Sequence, residues 1–149
     1  MASVAETIER FFEQADIQYK LLAEGQWAAQ LRGERKHTIP LGIALSGDRV
    51  VFESFFMRRP QENKDAFYEL LLRRNARAYG VHFAVDAEGD VFLVGARAAA
   101  GLDIDELDRI VGSILIEADG LFNAAISIGF KSYLEADMAW RARNAEASS

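Results

Sequence analysis

Only two histidines occur in the 149 residues, and neither has the company that imidazole chemistry needs. His37 stands beside Lys36 at the start of an alternating stretch, and His82 alternates with Val81 and Phe83 in another. A metal site or a triad needs a carboxylate at ligand or hydrogen-bonding spacing, and neither element supplies one. Asp86, Glu88 and Asp90 surround Gly89 and imitate a calcium loop. The imitation fails because the glycine comes too early and the apolar run Val91–Val94 stands where the closing glutamate belongs. A hairpin turn accounts for the segment. Asp103, Asp105, Glu106 and Asp108 could chelate a cation or dock a basic partner, but acids in a first helical turn are what the helix dipole favours. There is no G-x-G-x-x-G, no phosphate loop and no nucleophile elbow. The absence of cysteine removes thiol catalysis, disulfides and zinc–thiolate sites. These residues point to no catalytic set, no metal and no cofactor, and so to a protein that is not an enzyme.

The arginines are harder to dismiss. Arg58 and Arg59 end an apolar strand, and adjacent strand residues face opposite ways, so one of them is expected to turn inward. An inward arginine needs a carboxylate, and Glu53, Glu62 and Glu69 are near in sequence. The alternative is a small-anion sensor in which Arg58, Arg59, Arg73 and Arg74, with Asn75, clamp a carboxylate or phosphate. The structural role is the favoured one.

The length fits one domain with a substantial core. Half of the chain is apolar and 27% charged, and it holds only two prolines. The expected domain covers residues 1–143, with a frayed tail over 144–149. A net charge of −6 argues against nucleic acid as a partner. Residues 32–80 nonetheless carry ten Lys/Arg against six Asp/Glu, between two acidic ends. No apolar run reads as a membrane span, the opening MASVAETIE lacks the basic flank of an export signal, and a cytoplasmic address is expected.

Ser3 and Glu6 match a capping box. Behind them Val4, Ile8, Phe11, Phe12, Ala15, Tyr19 and Leu22 recur at helical spacing until Gly25, which predicts a long first helix. The period then becomes two. Trp27–Leu31, Ile39–Leu45 and Arg49–Met57 read as a three-stranded meander, with Pro40 at a bulge or an edge. The third strand is apolar on both faces: Val50, Phe52 and Phe56 point one way, Val51, Phe55 and Met57 the other. Either a helix or another subunit must cover the second face. Asn63 is a candidate N-cap for a helix bearing Phe67, Leu70, Leu71 and Arg74, which Asn75 can close in a left-handed conformation. Val81–Asp86 and Asp90–Arg97 form a hairpin. Asp103 and Glu106 open a second long helix with another capping box, Asp119-Gly120 gives it a place to bend, and Gly129 ends it. Ser132–Glu135 caps a short final helix. The pattern is α+β: an antiparallel five-stranded sheet in the order α-β-β-β-α-β-β-α, plus that C-terminal helix.

At MRRP (Met57–Pro60), LLRRN (Leu71–Asn75), YG-x-x-F (Tyr79–Phe83) and GDVFLVG (Gly89–Gly95), the chain resembles the YbjN-domain family. ELDRIVGSIL (Glu106–Leu115) and ADGLFN (Ala118–Asn123) extend the match. Members of that family carry the label of bacterial sensory transduction regulators and have a fold similar to type III secretion chaperones. The resemblance implies a homodimer without enzymatic activity, built across the helix Asn63–Arg77 and the strand Val81–Val85 through Phe67, Tyr68, Leu71, Val81 and Phe83. It also implies that a sheet face or side groove binds a protein or extended peptide. The expectation is therefore a cytoplasmic, non-catalytic, chaperone-like or regulatory adaptor.

Overall fold

Ser3 starts the first helix as expected: its Oγ accepts from the Glu6 N–H at 3.1 Å, and α1 spans Val4–Gln14 with Ile8, Phe11 and Phe12 buried. The computed structural model describes residues 3–147. The helix then stops eight residues before the expected Leu22. Asp16 takes φ 56°, and the chain re-emerges as strand β1, Tyr19–Ala23, which turns at Gly25 (φ 74°) into β2, Gln26–Arg32. Tyr19 and Leu22 fit a helical stripe and a strand equally well. Pairing decides between them, since Tyr19 lies opposite Ala29 and stacks on Phe12 at 4.9 Å.

The remaining elements are β3 (Thr38–Ser46), β4 (Arg49–Met57), α2 (Lys64–Asn75), β5 (His82–Val85), β6 (Val91–Ala98), α3 (Ile104–Gly129) and α4 (Lys131–Ala147). All strands pair antiparallel in the order β1-β2-β3-β4-β6-β5. The α+β class holds, with six strands rather than five. Pro40 pairs with Gln30, and the β3–β4 ladder ends at Gly42–Glu53, so the missing proline N–H falls where no second strand is bonded. A bulge changes the end of β4. Phe55 pairs with Phe92 but Met57 with Val91, so Phe56 and Met57 both turn into the core and Met57 leaves the face expected of it.

Helix α3 supplies the largest share of that core through Leu107, Ile110, Val111, Ile114, Ala118, Leu121 and Ala125. It is long and apolar enough to cross a membrane by length and composition, contrary to expectation. Its apolar stripe is instead laid on the sheet, which makes it a core helix. It runs through Asp119-Gly120 without a break. Asp119 has another use: its Oδ1 accepts the Arg35 and Lys36 N–H groups at 2.7 and 2.9 Å and pins the β2–β3 loop to α3. At the other end Asp103 caps the Glu106 N–H at 2.8 Å. The Glu106 carboxylate is bonded away from the expected capping box, to the Tyr79 hydroxyl (2.8 and 2.9 Å), Arg97 Nε (3.2 Å) and Arg109 Nη1 (3.1 Å).

The C-terminal end of α3 is closed by the segment Pro60–Asn63. A side chain at Gly129 would meet Pro60 and Phe67 within 2.9 Å, which is why the chain has none there. Gln61 and Glu62 donate their N–H groups to the Gly129 carbonyl, and Asn63 Nδ2 donates to that of Ile128 at 2.9 Å. Asn63 therefore occupies the N-cap position of α2 at φ 53° but makes no side-chain cap. The Glu62 carboxylate accepts from the Ser132 N–H and hydroxyl, so Glu62 rather than Ser132 caps α4. Helix α4 extends to Ala147, so residues 144–147 of the expected tail are helical, and residues 148–149 lie outside the described residues.

The Tyr79 hydroxyl first, then Arg97 and Arg109, hold the Glu106 carboxyl below its ordinary range. The Lys36 and Arg35 N–H groups do the same for Asp119. A carboxylate depressed in the folded state adds stability above its unfolded value, about 4, and loses it as pH falls through the folded value. Acid titration of the melting temperature should therefore show a decline below about pH 4 that is shallower in Asp119→Asn and Glu106→Gln. Equal acid slopes in wild type and both variants would contradict the assignment.

Candidate protein-binding face

Helices α1, α2 and α3 all pack on one side of the sheet, where Trp27, Ile39, Leu41, Ile43, Phe52 and Leu93 are buried. The opposite side carries the alternate residues. Ala28, Gly42, Glu53, Val94 and His82 form one row across β2, β3, β4, β6 and β5, and Ala44, Val51 and Ala96 form another. Phe55 and Phe92 pair edge-to-face with ring centroids 5.4 Å apart. Val51, Phe55 and Phe92 are half-buried by one another and by the strand pleat, and Val94 is 37% exposed. Small residues, Ala28, Gly42, Ala44 and Ala96, flank the aromatic pair and the valines on this face, with one carboxylate, Glu53, among them. An open groove of about 1180 Å³ reaches this face at Gly42, Glu53, Phe55 and Phe92 and extends past β1 to Ile17 and Leu115. The apolar second face foreseen for β4 thus exists through Val51 and Phe55, and none of α1 to α3 covers it.

The expected arginine cluster is not gathered. Arg73 is exposed and pairs with Glu69 one turn back at 2.8 Å. Arg74 pairs with Glu117 of α3, whose side chain is only 7% exposed. Neither Arg58 nor Arg59 faces inward, because the strand ends at Met57 and the bulge spends its second inward position on that methionine. Arg59 lays its alkyl chain against Gly89 and donates its N–H to Asp90 Oδ1 at 2.8 Å. Asn75 is the last residue of α2 and not left-handed. Its amide accepts the Phe83 N–H at 2.7 Å and donates to the Phe83 carbonyl at 3.0 Å, closing the outer edge of the sheet at β5.

The residues expected at a dimer interface are also spent inside one chain. Phe67, Leu71, Val81 and Phe83 are buried against α3 and the sheet, and the half-buried Tyr68 donates its hydroxyl to the Gly89 carbonyl. On this side Leu72 and Val85 are the large apolar groups that remain exposed. Sequence reasoning missed the roles of Glu62, Glu117 and Asp119, whose partners lie 43 to 84 positions away. No local pattern announces such pairs.

Removing Arg74 would leave the Glu117 carboxylate buried and unpaired, which costs about 3 kcal/mol. Chemical denaturation of Arg74→Ala should show that loss, and the double variant Arg74→Leu/Glu117→Leu should recover most of it. A loss below about 1 kcal/mol in the single variant would contradict the pairing.

A family model named YbjN, described as "putative bacterial sensory transduction regulator", matches residues 5–127. Uncharacterized protein Rv0487 of Mycobacterium tuberculosis is 40% identical over 117 residues, 78% of this chain and 64% of its own length. Uncharacterized protein ML2442 of Mycobacterium leprae is 34% identical over the same coverage. The chain thus spans less than two thirds of these relatives. Among solved structures, the ExoU–SpcU complex from the type III secretion system of Pseudomonas aeruginosa matches with a TM-score of 0.59 at 17% identity, over 78% of this chain and 95% of that one. The ExsC–ExsE complex matches at 0.56 and 15%, over 82% and 96%. YbjN from E. coli matches at 0.54 and 14%, over 80% and 92%. At such identities the structures show the fold, that of the type III secretion chaperones. The sequence match over most of the chain, with that shared architecture, shows that this protein belongs to the YbjN family.

Proposed function

We propose that the chain is a non-catalytic adaptor that holds a partner protein or an extended peptide on the helix-free face of its sheet. One observation carries this reading: Val51, Phe55, Phe92 and Val94 form an apolar patch on the side of the sheet opposite α1, α2 and α3. A half-apolar sheet face left open to water is a surface that a partner stabilises by covering it. Several structures of the same fold are of complexes, among them the HopA1–SchA chaperone–effector complex, which supports the reading by likeness of fold alone. The anion-sensor alternative has less behind it, since Arg73 and Arg74 are already paired with carboxylates. Self-association belongs to the proposal as well, on surfaces other than Phe67, Leu71, Val81 and Phe83, which are buried within the chain.

Charge placed on the face separates this reading from a merely structural one. Phe55→Glu should cost only about 1 kcal/mol, mainly the lost ring contact with Phe92. Val94→Glu should cost less than about 1 kcal/mol, because it sets a second carboxylate opposite Glu53. Together they should abolish co-purification of partners that wild type and the control Glu88→Lys retain from the native cell. Retention of the same partners by the double variant would overturn the proposal.

A further inference from the structure

Glu53 stands in the middle of the helix-free face. Its cross-strand neighbours are Gly42 and Val94, and Val51 and Phe55 flank it along β4. Glutamate is a poor strand former, and nothing in the chain employs this one. It is exposed, and no ion pair or side-chain hydrogen bond among the described residues involves its carboxylate. The other charges on this side of the sheet lie away from it. Lys20, Arg32 and Arg49 are each about 13 Å or more distant by strand spacing and rise, and His82 is about 10 Å away beyond Val94. These four sit at the margin of the face, where charges stay hydrated when the centre is covered. Glu53 has no such escape, because whatever buries Val51, Phe55 and Val94 buries it too.

We propose that the segment held on this face carries a lysine or arginine that pairs with Glu53, set between two apolar side chains that cover Val51 and Phe55. The inference rests on the adaptor reading and names the chemistry of its partner. A carboxylate taken out of water without a counter-charge is strongly destabilising, so a purely apolar segment is penalised at the centre of the patch. In an extended chain, side chains two residues apart project to the same side at about 6.6 Å, the spacing of Val51, Glu53 and Phe55 along β4. The partner's pattern is therefore apolar-x-basic-x-apolar. It reads the same in either chain direction, so it does not depend on which way the segment runs. The patch selects for apolar side chains, and Glu53 selects among them for those that flank a cation.

Selection of a random peptide library, displayed on phage, against the purified protein tests it. Wild type should enrich peptides with Lys or Arg two residues from an apolar side chain on each side. Glu53→Lys should enrich Asp or Glu at that central position, and Glu53→Gln should keep the apolar flanks and lose the basic preference. In a synthetic peptide from the wild-type pool, replacing the basic residue with glutamine should weaken binding about thirtyfold on wild type and far less on Glu53→Gln. A basic residue no commoner than in the unselected library, or equally common with Glu53→Gln, would overturn the pairing. That is the result expected of a glutamate that only keeps the face soluble. The adaptor reading is scored separately. Apolar peptides that bind wild type but not Phe55→Ser/Val94→Ser keep it whether or not a basic residue is selected, while a library from which nothing is enriched would overturn both.

Discussion

Every part of this fold is arranged around the burial of one face of α3. A 26-residue helix with so continuous an apolar stripe has to lie along the sheet, and once there it becomes the element to which each connection is fastened. Asp119 holds the β2–β3 loop, Glu117 holds α2 through Arg74, and Gly129 admits Pro60 and Phe67. Glu106 ties the start of the helix to Tyr79 and Arg97. Arg74 pairs the buried Glu117 and the other tethers add hydrogen bonds along the helix, so together they fix one arrangement among the many that apolar burial alone would allow.

Because α3 gathers α1 and α2 beside it, these three helices occupy a single layer, and among the described residues none of the three lies on the other side of the sheet. The sheet's two boundaries are treated differently. The β5 edge is closed at Phe83 by the Asn75 amide, which blocks strand addition at that residue. The broad face keeps its aromatic pair and valines in reach of water. A sheet braced from behind by α3 and capped at one edge would need little ordering of its own on binding the proposed partner.

Much of this was legible in the sequence where the signal is local. The limits of β4 follow from its alternation and bounding turns, and the start of α3 follows from Asp103. The two-sided apolarity of β4 showed that its second face needs a cover, by a helix or another subunit, and α1 to α3 do not supply it. What failed did so for stated reasons. Tyr19 and Leu22 satisfied two periodicities at once, and only the hairpin with β2 chose between them. Met57 was assigned the wrong face because a bulge depends on the partner strand β6. The arginines looked like one cluster because sequence shows their number and not their carboxylates, 43 residues distant in the case of Arg74.

The proposed adaptor function requires that a partner sit on the helix-free face. The chain has no cysteine, so one introduced thiol reports on one place. In purified Val94→Cys the thiol should react with a maleimide at the rate of an exposed side chain, as should that of Glu88→Cys on the hairpin turn. In extract of the native cell, labelling at position 94 should slow while labelling at position 88 keeps its rate. Unchanged labelling at both positions would mean that nothing covers the face, and would contradict the account.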